Sequence, residues 1–459
     1  MSGVQTSYNA QNCDVRKNYA EHEQCIVRLW LPAGYRSLED MPVYLKIPGG
    51  GWNAPHADAT ADIHDPTGEL IAGGDYIDDL LTAGWAVGRM EWPHGANVDI
   101  ESRVHPTSRW PALTVAIGRC VQFLKTHALD GLVTGSTAST LATSHLRYIL
   151  EGTSSSGIDA MNAAFLPDGG LRYQKGAVYR GGGTTFNYRY NHRVRGVVNS
   201  DGGCDFRKWA SNAVSADALP RFGPRENFYV NPALGNVPND QKRVCSPLWL
   251  AERAYPENLD LGVFCIMDEG SVPNGQSAPA VGAVGSFLGS GTTLVYLNAA
   301  QTGTFQVGET VTGATTGTGT VKGRKVAGPN TYLYVERTTT ATFAGVVTGG
   351  TSGATITATY ECGGNNDRLA FLSPAQALAV WDAAGDGEIA DCTAVHEQIH
   401  APALKRQLEA NGDTLSRFYI ANDYVAGLTG GYTPAFTWND LTLGDEILDW
   451  LENGLGITP

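Results

Sequence analysis

Two runs of small residues in this chain have the composition that acyl-transfer chemistry asks of a backbone. Gly152-Thr153-Ser154-Ser155-Ser156-Gly157 joins a short, mostly apolar strand directly to a helical pattern. A serine on so tight a turn is held clear of the sheet, small neighbours permit the backbone to bend, and the helix N-terminus behind it favours developing negative charge. Upstream, Ile47-Pro48-Gly49-Gly50-Gly51-Trp52 ends another strand in glycines, whose N–H groups can approach a reacting carbonyl and supply half of an oxyanion hole. Either run alone reads as a loop. Together, each at a strand end, they point to a nucleophilic serine. A third run, His396-Glu397-Gln398-Ile399-His400, spells HExxH, in which two imidazoles one helical turn apart ligate zinc. Pro402 would disrupt a helix immediately after the second imidazole, and no third ligand is evident downstream. The expectation there is an ordinary polar segment and no metal.

These runs need a framework. Residues 25–32 and 42–48 read as two strands, 76–83 as a helix and 85–92 as a strand. Apolar residues at 113, 117, 120, 121 and 124 give helical spacing across 110–128. Strand 146–150, a helix opening at Asp159, strands 194–199 and 261–267, helices 373–384 and 402–411, strand 416–421 and helix 445–453 follow. The Trp residues 85, 92, 110 and 249 read as packing, and Tyr188–Arg193 as a solvated loop. Strands alternating with helices predict an α/β fold with a mostly parallel sheet covered on both faces.

Gly282–Tyr360 breaks this rhythm, with 20 Thr, 15 Gly and no Asp or His. It carries a degenerate repeat: Thr304-Phe305 leads to Val311-Thr312-Gly313, and Thr342-Phe343 leads to Val347-Thr348-Gly349. Short β-branched runs divided by glycine turns predict a small all-β domain inserted into a loop of the α/β domain. The expected organisation is an arm over 1–23, a first α/β part over 24–281 with a cap at 205–258, the insert at 282–361, and a second α/β part over 362–459.

Composition narrows the function classes. Hydrophobic residues make up 42% and charged ones 17%, the balance of a core-forming globular chain. The formal charge of −14, without a basic cluster, argues against a nucleic-acid partner. No apolar run approaches the ~20 residues of a membrane span, and Met1–Ala10 lacks the features of a signal peptide, so synthesis in the cytoplasm is expected. Eight scattered cysteines have no zinc-like spacing, and a Cys13–Cys25 pair is without support.

The strand–PGGGW–helix order, Trp110-Pro111-Ala112 opening a helix with Phe123-Leu124-Lys125, the serine turn, and Ser246-Pro247 ahead of strand 261–267 together resemble the α/β-hydrolase fold. Within it the chain is most similar to carboxylesterases and feruloyl-esterase-like members. The resemblance spans roughly 24–281 and 362–455. It implies Ser154 as nucleophile, with Gly50, Gly51 and the Ser155 N–H as oxyanion hole; Ser155 is the second candidate nucleophile. Pro48 stands where the family has His, and Ser156 where it has Gly. The resemblance also implies an acid after strand 261–267: Glu269 in Asp268-Glu269-Gly270-Ser271-Val272-Pro273, with Asp268 and Asp367 as rivals. The family's histidine follows the last strand, yet no histidine occurs after His400. His396 or His400 is then the expected replacement, with His56 and His64 next.

The expected function is a serine carboxylic-ester hydrolase working through an acyl-enzyme without a cofactor, on a small-molecule or polysaccharide-linked ester. The Thr/Gly repeat resembles bacteriophage tail and virion modules, which implies a virion setting and other virion proteins as partners. The alternative is a catalytically inactive hydrolase scaffold serving as a structural or adhesion component of a phage particle.

Overall fold

The computed structural model describes residues 13–19, 25–35, 38, 40–49, 75–92, 112–127, 140–153, 155–166, 178–181, 184–187, 191–200, 202–208, 243, 245–254, 260–268, 294–299, 301–314, 317–327, 330–339, 343, 345–358, 361–363, 374–389, 399–421 and 446–459. The first part contains strands β1 (Val15–Asn18), β2 (Ile26–Trp30), β3 (Val43–Ile47), β4 (Ala86–Met90) and β5 (Tyr148–Thr153), with helices α1 (Asp75–Thr82) and α2 (Ala112–His127). Then come α3 (Ser155–Phe165), a hairpin of β6 (Val178–Gly181) and β7 (Thr184–Asn187), β8 (Gly196–Ser200), α4 (Pro247–Ala254) and β9 (Gly262–Asp268).

An antiparallel group follows: β10 (Leu294–Ala299), β11 (Gln301–Thr302), β12 (Thr310–Gly313), β13 (Thr318–Ala327), β14 (Asn330–Arg337), β15 (Gly345–Gly349), β16 (Thr355–Ala358) and β17 (Glu361–Gly363). The chain ends with α5 (Pro374–Ala384), α6 (His400–Ala410), β18 (Arg417–Ala421) and a C-terminal helical segment that finishes in a wide turn, Trp450–Gly454.

Eight strands form one sheet in the order β1-β2-β4-β3-β5-β8-β9-β18. From β4 to β18 all neighbours are parallel, and β2 runs antiparallel to β4. Each central strand is buried and mostly apolar on both faces, as a sheet covered twice requires. In β9, Val263, Cys265 and Met267 join the core under α2, α3, α4 and α6, while Phe264 and Ile266 join the core under α1 and Trp450. This is the α/β class that the strand–helix alternation predicts.

β3 is the point where the chain changes direction across the sheet. Its successor β4 lies on one side and β5 on the other. The β3–β4 connection carries α1 on one face, and the β5–β8 connection carries α3 on the opposite face. The carboxyl ends of β3 and β5 therefore flank the point where the strand order reverses, which is where open α/β sheets bind ligands. Both small-residue runs follow these two strands in the sequence.

The second sheet is antiparallel throughout, in the order β11-β16-β15-β12-β13-β14-β10-β17, with its own core of Phe305, Val311, Val321, Leu333, Val335, Phe343, Val347, Ala354 and Ile356. The two repeats pair with each other: Thr312 opposes Thr348 at the centre of the β12–β15 ladder, and Val311 and Val347 are both buried. Its first and last strands are neighbours, with Val295 opposite Gly363, so the chain enters and leaves this sheet at one place.

Three expectations change here. Val15–Asn18, assigned to an arm, is an edge strand, because its backbone completes the antiparallel ladder of β2. Pro247–Ala254, assigned to the cap, packs on α3 and α6 as part of the α/β layer. His192, assigned to a solvated loop, is buried with Nε2 at 3.2 Å from Leu166 O, and the flanking carbonyls of Asn191 and Arg193 accept from Lys125 Nζ. Cys13 and Cys25 are unlinked.

Candidate active site

One residue, Ser154, separates the end of β5 from the start of α3. Ser154 itself lies outside the described residues, but its flanks define the turn. A methyl group placed on Gly152 would come within 2.7 Å of Gly157 Cα, and one on Gly202 within 2.8 Å of Ile158 N. Only residues without Cβ let the strand end, the helix start and the loop after β8 approach this closely. Asn199, fully buried at the end of β8, closes that loop by donating from Nδ2 to Gly202 O (2.8 Å) and accepting from Gly202 N (3.0 Å).

Ser156 fastens the turn to the neighbouring strand. Its Oγ accepts from Thr153 N at 3.0 Å, and its hydroxyl proton faces the carbonyls of Ile47 at 2.6 Å and Thr153 at 2.8 Å. Ile47 is the last residue of β3 and opposes Gly152 in the ladder. A serine in place of glycine at this position thus ties the serine turn to the strand that leads into the glycine run. Sequence reasoning missed Asn199, Gly202 and this bond. Ser200-Asp201-Gly202-Gly203 after a strand was the available signal for the first two.

Ser155 is the first residue of α3 and is fully buried; its Oγ has no hydrogen-bond partner among the described residues. Its backbone N–H belongs to the first turn of a helix, where amides have no intrahelical acceptor. Of the glycine run, Pro48 and Gly49 are described, at the end of β3; Gly50 and Gly51 lie outside the described residues. So do Glu269, Asp367, His56, His64 and His396. Asp268 is the last residue of β9 and pairs with Ala421, the last of β18, so the segments that follow these two strands start side by side.

His400 is not an accessible base. It is fully buried at the start of α6, with Nδ1 at 3.6 Å from Cys204 Sγ and its ring edge-on to Trp381 at 5.5 Å. Burial pushes its pKa down to about 4; nearby Asp205 opposes this and Lys208 adds to it. α6 begins at His400, so the HExxH run precedes the helix instead of lying on it, and Pro402 sits in the first turn, where proline is tolerated. Among the described residues no group of three side chains could hold a metal ion. His145 and His192 precede the amino ends of β5 and β8, so the length of a strand, roughly 20 Å, separates them from the serine turn.

The loop after β8 is anchored beside this site. Arg207 holds buried Asp205 side-on (Nε–Oδ1 3.0 Å, Nη2–Oδ2 2.7 Å) and reaches Asp386 at 2.6 Å, while Arg243 binds the other oxygen of Asp386. Lys208 Nζ donates to the carbonyls of Trp381 and Gly385 and lies over the Trp381 ring. Residues 204–208 are thereby fixed to α5 and α6. Among the described residues no helix is long and apolar enough to cross a membrane.

No protein-family model matches the chain, and no curated protein matches it. Solved structures similar to it include a truncated carbohydrate esterase from gut microbiota, at 18% identity over 59% of this chain and 79% of that one, TM-score 0.36. Another is a thermophilic esterase of the Planctomycetes species Thermogutta terrifontis, Est2 with butyrate bound, at 11% identity over 56% and 73%, TM-score 0.34. A third is esterase B from Lactobacillus Rhamnosis, at 15% identity over 56% and 65%, TM-score 0.35.

Proposed function

We propose that this chain is a serine carboxylic-ester hydrolase of the α/β-hydrolase type. The observation that carries the reading is the single residue Ser154 between β5 and α3, beside the end of β3, with Ser156 Oγ bonded to Ile47 O across the two strands. Ser154 Oγ attacks the ester carbonyl while a base takes its proton. The N–H of Ser155 and those of Gly50 and Gly51 hold the oxyanion, the alcohol leaves with the proton, and water releases the acid from the acyl-enzyme. The buried side chain of Ser155 supports Ser154 over Ser155 as the nucleophile. His400 drops out as the base, which leaves His396, His56 and His64. Glu269 is the acid of this reading, since it follows β9 next to the end of β18.

The test is labelling by a fluorophosphonate followed by peptide mapping. The adduct is expected on Ser154, absent in Ser154→Ala and retained in Ser155→Ala. A folded chain that takes no label belongs to the second reading, a catalytically silent scaffold in a particle, which the enclosure of His400 favours.

A further inference from the structure

The sheet carries a line of charge that the serine site does not use. Arg16 opposes Arg28, Arg28 opposes Arg89, Arg89 opposes Lys46, and Lys46 opposes Glu151. Directly paired residues share a face, and like charges in such pairs repel. Four cations in succession across β1, β2, β4 and β3 thus occupy one face, where Trp30, Tyr44, Val87 and Ile149 are otherwise apolar core. The line lies one residue inside the carboxyl ends of β3 and β4.

Among the described residues, Glu91 binds Arg28 Nη1 and Glu151 binds Lys46 at 3.2 Å. Asp14, next to Arg16 along the face, accepts from Leu31 N. Arg28 is 2% exposed, yet its Nε and Nη2 have no hydrogen-bond partner among the described residues. These two N–H groups form the side-on fork of a guanidinium, the edge that receives both oxygens of one carboxylate, sulfate or phosphate. A guanidinium out of water with this edge unfilled is costly, and a second anion removes the cost.

We infer that Arg28, with Arg89 and Lys46 beside it, is an oxyanion-binding site: a compact carboxylate, sulfate or phosphate seats on the Arg28 Nε–Nη2 fork while Glu91 holds Nη1. Enclosure of the fork selects a small anion over a macromolecule. β2 lies three strand spacings from β5, about 14 Å, so the site is separate from the serine turn and independent of the ester-hydrolase reading.

The experiment is a titration of the full chain with sodium phosphate, sulfate and acetate, each against sodium chloride at matched ionic strength. Thermal unfolding and calorimetry are the readouts. Wild type is expected to gain several degrees in midpoint with at least one oxyanion, saturably. Arg28→Lys keeps the charge and loses the fork, and is expected to weaken that anion at least 10-fold; Arg28→Gln is expected to abolish the shift. No oxyanion-specific shift in wild type overturns the proposal, as when a carboxylate of the chain itself fills the fork. An equal affinity in Arg28→Lys overturns it too. Binding to phosphate alone assigns a phosphoryl ligand, to sulfate alone a sulfuryl ligand, and to acetate a carboxylate.

Discussion

The two sheets of this molecule hold themselves together by different means. The parallel sheet is buried on both faces, and its order comes from large side chains: Trp450 lies against Phe264 with ring centroids 5.3 Å apart, in space that Gly196 and Gly262 leave open. Among the described residues, the antiparallel sheet rests on nine buried apolar side chains, with many threonines in its sequence. Its least replaceable piece is a carboxylate: Glu309 is buried and accepts from the amides of Gln306, Thr351 and Ser352 and from Ser352 Oγ, at 2.7–3.0 Å. Volume specifies the first sheet, and a polar clasp specifies much of the second. The reversal of strand order at which open α/β sheets bind ligands occurs in the first sheet, at β3.

The largest effect should come from adding one methyl group to each sheet. Gly152→Ala puts a Cβ into the start of α3, so the serine turn must shift. A misplacement of about 1 Å costs ~100-fold in rate, and the overpacking costs about 1–3 kcal/mol. Fluorophosphonate labelling rates and ester hydrolysis measure the first, and denaturation measures the second. Gly349→Ala puts its Cβ 2.5 Å from Ser352 Oγ and against the Glu309 carboxylate. It is expected to melt the antiparallel sheet and leave the labelling rate unchanged. Equal loss of labelling in both variants would mean that the two sheets do not fold apart.

Truncations of the two cores act on stability instead of rate. Trp450→Ala and Phe343→Ala each remove a fully buried ring, at about 3–5 kcal/mol. With separate cores, thermal unfolding followed by calorimetry should show two transitions. Trp450→Ala lowers only the one that also abolishes labelling, and Phe343→Ala lowers only the other. A single transition lowered by both breaks the comparison.

How far the sequence carried this picture depends on which force was at work. Apolar spacing located α2, β3 and β9 to within two residues, because burial is what the spacing encodes. The start of α3 was expected at Asp159 but lies at Ser155. Ser155-Ser156-Gly157 has poor helix propensity, and contacts with Gly152 and Gly202 override it. Val15–Asn18 carries a polar pattern that only its pairing with β2 makes a strand. That β3 and β5 end just before the two small-residue runs was legible, because small residues after an apolar run are a local signal. His400 was not, since the burial that rules it out as a base comes from Cys204 and Trp381, distant in sequence and near in space.

The smallest expected effect tests the polar clasp by pH. Burial alone would raise the Glu309 carboxyl; hydrogen bonds from Ser352, Gln306 and Thr351 outweigh it and hold the group below its ordinary value. A carboxyl with a lower pKa folded than unfolded stabilises the fold above the unfolded value, about 4.3. That stabilisation is lost as pH falls through this value and then through the folded one. The antiparallel-sheet transition should therefore move down in temperature on acidification below roughly pH 4.3, more steeply than in Glu309→Gln. Glu309→Gln keeps the size of the side chain but turns an acceptor into a donor facing amide donors, so it should cost about 2 kcal/mol at neutral pH and flatten the acid limb. An acid limb of unchanged steepness in Glu309→Gln would assign the pH response to other carboxylates. The second sheet would then be held, like the first, by its apolar core.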